Sequence, residues 1–302
     1  GKPRGGWQGM DVLWNDPEST LTKWKTPLFE DEKIIEVPVD QRTVTRRYTQ
    51  KSIDFIKANK DKPFFVYLPH SMPHIPLYVP DEIRDPDPKN AYINTIEHID
   101  AEVGRLLKTL DDLKLVDNTY VIYTTDNGPW LQFRHHGGSA GPLREGKGTT
   151  FEGGQRVPCV MRGPGIPAGT VCDELTGTID VLPTIAALTG KPLPAKNKID
   201  GVDVSGLWKG TSKKSPRKEF LHYTSRGDLE GIRSGNWKLL VKKPRRNNAR
   251  KAQLHLFDLA KDMGEKNNLA EAKPAVVKEL QTRMKELDAE ITKNARSPWF
   301  KE

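Results

Sequence analysis

No segment of this chain leaves less freedom than Tyr120-Val121-Ile122-Tyr123-Thr124-Thr125, which halts at Asp126-Asn127-Gly128-Pro129. β-Branched and aromatic side chains suit a pleated, half-buried surface, whereas Asp, Asn, Gly and Pro supply turn geometry. A strand ending abruptly in a polar loop is therefore expected here. Upstream, Ile96, Ile99, Val103, Leu106, Leu107 and Leu110 recur at helical spacing and predict one long amphipathic helix. Phe64 to Leu68 reads as a short buried strand, and the pattern from Arg46 to Ala58 as a helix. Between them and the long helix, Pro69-His70-Ser71-Met72-Pro73-His74-Ile75-Pro76 has to be a loop, because its prolines remove donors and restrict their predecessors. Val157 to Met161 and Asp180 to Leu188 continue as strand and helix. This order predicts an α/β sheet whose polar loops gather at strand ends, the place where open α/β folds bind ligands.

The flanking segments read differently. Residues 1–45 show little periodicity and are expected to form an irregular arm, and residues 191–218, rich in Pro, Gly, Lys and Ser, a linker. Beyond it, Glu219–Tyr223, Gly231–Arg233, Trp237–Val241 and Leu254–Asp258 predict antiparallel strands, and Pro274 to Lys293 a closing helix. The expected organisation is thus a partial catalytic α/β domain over residues 1–210 and a small α+β subdomain over 211–302.

Charge follows the same division. Residues 211–302 carry 22 of the 48 Lys and Arg but only 12 of the 40 Asp and Glu, which leaves the rest slightly acidic. The basic run Lys242-Lys243-Pro244-Arg245-Arg246 reads as a solvated hairpin loop, with capture of phosphate or sulfated polymers as the other option. No aromatic residues interleave to stack bases, so nucleic acid is not an expected partner. No apolar run reaches membrane-spanning length, and Cys159 and Cys172 make neither a disulfide framework nor a metal-finger spacing.

Five positions carry chemistry. Asp126 and Asn127 put a carboxylate and an amide oxygen side by side, the donor type hard cations take. Gly141-Pro142-Leu143-Arg144-Glu145-Gly146-Lys147 approaches a phosphate-binding loop, but Gly148 stands where Ser or Thr should hold Mg²⁺, and no helix opens after it. What survives is Lys147, a compact cation between glycines that admit a tetrahedral anion. His74, with His70 nearby, is a candidate general acid, and His136, beside His135, a candidate substrate contact. No nucleophile sits in a recognisable motif.

Taken together, Lys62-Pro63-Phe64-Phe65 through Pro73-His74-Ile75-Pro76, Thr125-Asp126-Asn127-Gly128, Gly146-Lys147-Gly148-Thr149-Thr150-Phe151-Glu152-Gly153-Gly154 and Asp180-Val181-Leu182-Pro183-Thr184 resemble the type I sulfatases of the alkaline phosphatase superfamily. Arg233-Ser234-Gly235-Asn236-Trp237-Lys238-Leu239 and Leu256-Phe257-Asp258-Leu259 add a C-terminal echo. The resemblance implies an α/β/α sandwich, incomplete at its N-terminal side, with a small C-terminal antiparallel sheet. It implies hydrolysis of a sulfate ester on a sugar or aryl group, with Asp126 and Asn127 ligating Ca²⁺, Lys147 binding sulfate and His74 assisting the departing alcohol. It also implies secretion or a periplasmic location.

The departure concerns the nucleophile, a formylglycine made in a Cys/Ser-x-Pro/Ala-x-Arg motif. Cys159-Val160-Met161-Arg162, Cys172-Asp173-Glu174-Leu175-Thr176 and Ser71-Met72-Pro73-His74-Ile75 all fail that pattern. The chain is therefore expected to be the C-terminal portion of a sulfatase, with formylglycine and the remaining Ca²⁺ ligands outside it. A catalytically inactive protein that holds sulfated polymers, or a phosphoesterase of the same superfamily, stands as the alternative.

Overall fold

The computed structural model describes residues 6–19, 25–194, 196, 198–243 and 252–296. The backbone groups into two compact units, residues 1–120 with 129–139, and residues 121–128 with 140–302.

The first unit contains helix α1 (Trp7–Asn15), the hairpin β1 (Leu28–Glu30) and β2 (Lys33–Glu36), and helices α2 (Val44–Asn59) and α3 (Ala91–Asp112). α3 is the long helix the spacing predicts, burying Ala91, Thr95, His98, Ile99 and Glu102 along one stripe. α2 packs beside it, where Arg105 of α3 donates to Gln50 of α2 at 2.6 Å. A core of Met72, Tyr78 and Ile99 seats the proline-rich loop on α3.

Two expectations fail in this unit. Residues 1–45 hold regular structure, and α1 is fastened at Trp14, which is buried against Leu77, Val79 and Ala91 while its indole donates to the Asp85 carbonyl at 2.8 Å. Phe64 to Leu68 forms no ladder among the described residues. Phe65 and Tyr67 are 70% and 79% exposed, so alternate side chains face outward as on a strand without a neighbour. Apolar pattern specifies an extended backbone, but only a partner strand makes it a sheet.

In the second unit β3 (Val121–Thr124) pairs antiparallel with β4 (Cys159–Arg162), Val121 facing Arg162 and Thr124 facing Cys159. A single turn, α4 (Glu152–Gln155), lies between them in sequence. Helix α5 (Val181–Thr189) ends at Gly190, whose φ of 65° is the left-handed conformation glycine adopts without a Cβ penalty. Asp180 organises the start of α5: its carboxylate accepts from Gly177 N and Val202 N, both at 2.8 Å, and from Arg217 Nε at 2.7 Å. Burial opposes its ionisation, yet Arg217 and the two amides hold the carboxyl below its ordinary value.

The expected linker is likewise part of the fold. It contains α6 (Ser205–Trp208), with Val204 and Leu207 buried and Val204 N donating to Thr184 Oγ1 at 3.0 Å. Two apolar anchors among Pro, Lys and Ser are too sparse a signal to mark a helix.

Strands β5 (Glu219–Tyr223), β6 (Leu229–Ser234), β7 (Trp237–Lys242) and β8 (Gln253–Asp258) form an antiparallel meander. Helix α7 (Pro274–Lys293) lays Val277, Leu280 and Met284 on Ile232, Leu239 and Leu256. The predicted strands and closing helix are all present. Lys242 ends β7 and pairs with Glu230 at 2.7 Å, whereas the rest of the basic run, from residue 244 on, lies outside the described residues.

Candidate active site

Asp126, Asn127 and the loop bearing Lys147 come together within the second unit. Gly128 N donates to Gly154 O at 3.2 Å, and a Cβ built on Gly128 would stand 1.7 Å from the Gly153 carbonyl oxygen. The turn after β3 therefore docks backbone to backbone on the end of the glycine-rich segment, and only glycine permits the approach. That segment closes on itself. Gly153 N donates to Arg144 O at 2.8 Å, Thr149 N to Gly146 O at 3.2 Å, and Gly148 takes a φ of 85°. Lys147 is half-buried on this loop, Asn127 is half-buried, and Asp126 is exposed.

The loop is pinned from below by a charge pairing that the sequence does not reveal, although Glu152 and Lys238 each stand in a quoted motif. Glu152 follows the Thr-Thr-Phe run, and its Oε1 lies 2.8 Å from Lys238 Nζ, a fully buried lysine of β7. Lys238 Nζ also lies 3.0 Å from Glu265 Oε1, and Glu265 Oε2 accepts from Glu152 N at 2.6 Å. Burial pushes the Glu265 carboxyl above its ordinary value, with the ammonium of Lys238 working against that shift. Arg144 joins by donating to the Glu265 carbonyl at 2.9 Å while its guanidinium lies over Phe151 at 4.0 Å. One lysine on β7 thus fixes the strand-to-loop connection that carries Lys147.

The two histidines belong to the first unit. His74 is exposed on the proline-rich loop, its Nδ1 2.8 Å from the Ile75 carbonyl and its ring 5.7 Å from that of Trp130. A depression of about 260 Å³ opens beside it, lined by Gln41, Ser71, Met72, His74 and Tyr78 among others. His70, on the same loop, is half-buried, neither ring nitrogen has a hydrogen-bond partner among the described residues, and burial lowers its pKa. His136 is 1% exposed, and its Nε2 lies 2.8 Å from Asp11 Oδ1, which His135 Nε2 meets at 2.6 Å. Asp11 sits in the stretch expected to be irregular, where Trp7 and Trp14, two helical turns apart, are the available signal.

With this geometry in hand, likeness to known proteins becomes specific. Residues 2–191 match the Sulfatase family, and residues 146–290 match the N-sulphoglucosamine sulphohydrolase C-terminal family. The chain belongs to the sulfatase family. Arylsulfatase A of Homo sapiens is 36% identical over 259 residues, covering 77% of this chain and 51% of the human protein. The solved structure of Ps i-CgsB in complex with k-i-k-neocarrahexaose superposes with a TM-score of 0.74 at 27% identity, over 95% of this chain and 65% of that one. A Bacteroides thetaiotaomicron structure solved in connection with metabolism of multiple glycosaminoglycans gives the same TM-score and identity over 83% of this chain and 55% of that one. The chain thereby shares the alkaline phosphatase-like fold class of these solved sulfatases, and its own small C-terminal sheet is part of it. The chain spans about half the length of arylsulfatase A. Among the described residues no helix is long and apolar enough to cross a membrane.

Proposed function

We propose that this sulfatase chain serves hydrolysis of sulfate esters on carbohydrate, with Asp126 and Asn127 as ligands of Ca²⁺, Lys147 at the sulfate and His74 at the leaving alcohol. The observation that carries the reading is the interlock of Gly128 with Gly153 and Gly154, which joins an oxygen-donor turn to a lysine-bearing anion loop. An exposed carboxylate beside an amide oxygen fits a hard cation, which takes six to eight oxygens. Two come from this chain, and the rest are assigned to residues outside it. When bound, the ion would offset negative charge on the ester.

Lys147 supplies a point charge to sulfate oxygens. The lysine cannot be replaced by a neutral donor without loss, since charge developing on those oxygens is what the site has to stabilise. With Nδ1 of His74 2.8 Å from the Ile75 carbonyl, Nε2 of the doubly protonated ring is the atom that delivers a proton to the departing alcohol oxygen. No Cys or Ser of these 302 residues stands in a formylglycine motif, so that nucleophile is assigned to a segment outside them. Export from the cytoplasm, by secretion or to the periplasm, belongs to the same reading.

A carbohydrate substrate is supported by the relative solved with a neocarrahexaose and by the one tied to glycosaminoglycans. The test is sulfate release by the whole protein from sulfated sugars and from an aryl sulfate. Lys147→Ala should lower turnover by at least about 10²-fold, the scale of losing one donor to transition-state charge. Near-normal turnover in that variant would remove Lys147 from the site, and hydrolysis of phosphate esters alone would overturn the assignment.

A further inference from the structure

We propose that Asp11, His135 and His136 form a binding site for a divalent transition-metal ion of the zinc class, separate from the oxygen-donor turn at Asp126 and Asn127. One carboxylate oxygen and two imidazole nitrogens converge here, with their ligand atoms all within 4.8 Å of one another. Asp11 Oδ1 faces both Nε2 atoms, at 2.6 Å and 2.8 Å, so three donors aim at one small volume. Ligands closed on one another in this way leave the arrangement that a single ion would spread apart.

The donor set selects the metal class. Imidazole nitrogen suits zinc, copper, nickel and iron, whereas Ca²⁺ and Mg²⁺ prefer oxygen throughout. Three protein ligands with one position left for solvent is the pattern of an open zinc site. Exposure agrees with that, since the His136 side chain is 1% exposed and forms a floor, while those of His135 and Asp11 are 22% and 26% exposed and leave one side reachable.

The scaffold is built rather than accidental. His135 and His136 follow Arg134, whose φ of 49° turns the backbone so that consecutive rings stand 4.6 Å apart on the same side. Gly137 N closes that turn on the Arg134 carbonyl at 2.9 Å, and Trp130 N closes it again on Gly137 O at 2.9 Å. Asp11 is delivered by α1, which Trp14 anchors, and Trp7 of the same helix packs edge-on against His135 at 5.5 Å. An ion here would join residues more than 120 positions apart in sequence, and any ligand that favours the folded state raises its stability.

The experiment is calorimetric titration of the whole protein with Zn²⁺ alone in the presence of excess Ca²⁺, followed by Co²⁺ and its visible ligand-field absorption. One Zn²⁺ per chain is expected, unaffected by Ca²⁺, with Co²⁺ giving the intense bands of low-coordinate nitrogen and oxygen ligation. Asp11→Asn and His135→Ala should each weaken Zn²⁺ by at least about tenfold, since even outer partners of metal ligands contribute that much. His135 is partly exposed, so its variant retains the fold if Asp11→Asn does not. Absence of Zn²⁺ binding, binding that survives both substitutions, or displacement of Zn²⁺ by Ca²⁺ would each overturn the site. None of these outcomes depends on sulfate-ester turnover.

Discussion

Replacing Lys238 with methionine isolates the contact that holds the lysine-bearing loop to the C-terminal sheet. Lys238 is fully buried and lies 2.8 Å from Glu152 Oε1 and 3.0 Å from Glu265 Oε1. Methionine fills similar volume, so the main loss is electrostatic: two buried carboxylates lose their shared cation. Breaking a buried pair from one side costs about 3–5 kcal/mol, a large part of the roughly 5–15 kcal/mol that stabilises a domain. The loss should shrink on acidification, because Glu265 is already displaced toward its neutral form and protonation removes the orphaned charge. It should also shrink in the triple variant Lys238→Met, Glu152→Gln, Glu265→Gln, where the three buried charges are removed together, only Arg233 at 3.8 Å loses a carboxylate neighbour, and the side-chain amide oxygen at position 265 still accepts from the backbone N–H of position 152. Urea denaturation followed by tryptophan fluorescence, with the linear extrapolation applied to each variant, measures all three. A single substitution costing less than about 1 kcal/mol, or a triple variant less stable than the single one, would refute the reasoning.

Other consequences are as direct. Gly128→Ala places a methyl 1.7 Å from the Gly153 carbonyl oxygen and should destabilise by about 1–3 kcal/mol or more as the turn lifts off the loop; an unchanged denaturation midpoint would contradict the docking. Arg217→Ala leaves Asp180 buried with two amide donors but no cation, so thermal unfolding should move to lower temperature, whereas Lys213→Ala, on an exposed stretch nearby, should not move it. Burial holds His70, His98, His136, His222 and His255 below the ordinary imidazole value. The unfolded chain therefore takes up protons near pH 6.5 before the folded chain does, so these groups stabilise fully above that pH and progressively less below it. Glu265, whose carboxyl is raised, works the other way, one group against five. Unfolding midpoints should fall between pH 7.5 and about 5.5, and a rise across that interval would contradict the burial of these rings.

Much of this architecture is legible because its signals are local. β5 and α7 begin and end where the apolar pattern and Pro274 say they should, and α3 extends the predicted stripe by only a few residues. The turn at Asp126 to Gly128 is equally local, since its residue types specify both the stop of β3 and the oxygen donors. Features that depend on distant partners are not legible. Phe64 to Leu68 carries strand chemistry, but a ladder requires a second chain segment, and none pairs with it among the described residues. Lys238 reads as an ordinary polar position in β7, and only the fold brings Glu152 and Glu265 to it from 86 residues upstream and from the turn after β8. Asp11 is hidden for the same reason: its histidines lie more than 120 residues away.

Sulfate release by the whole protein carrying Asp126→Asn, beside the unsubstituted protein in excess Ca²⁺ and after chelation, tests the proposed metal and sulfate site most directly. The account predicts that chelation abolishes turnover in the unsubstituted protein, that Ca²⁺ restores it, and that Asp126→Asn stays low under both conditions with its circular dichroism unchanged. Equal turnover in the variant and the unsubstituted protein, indifferent to chelation, would contradict it.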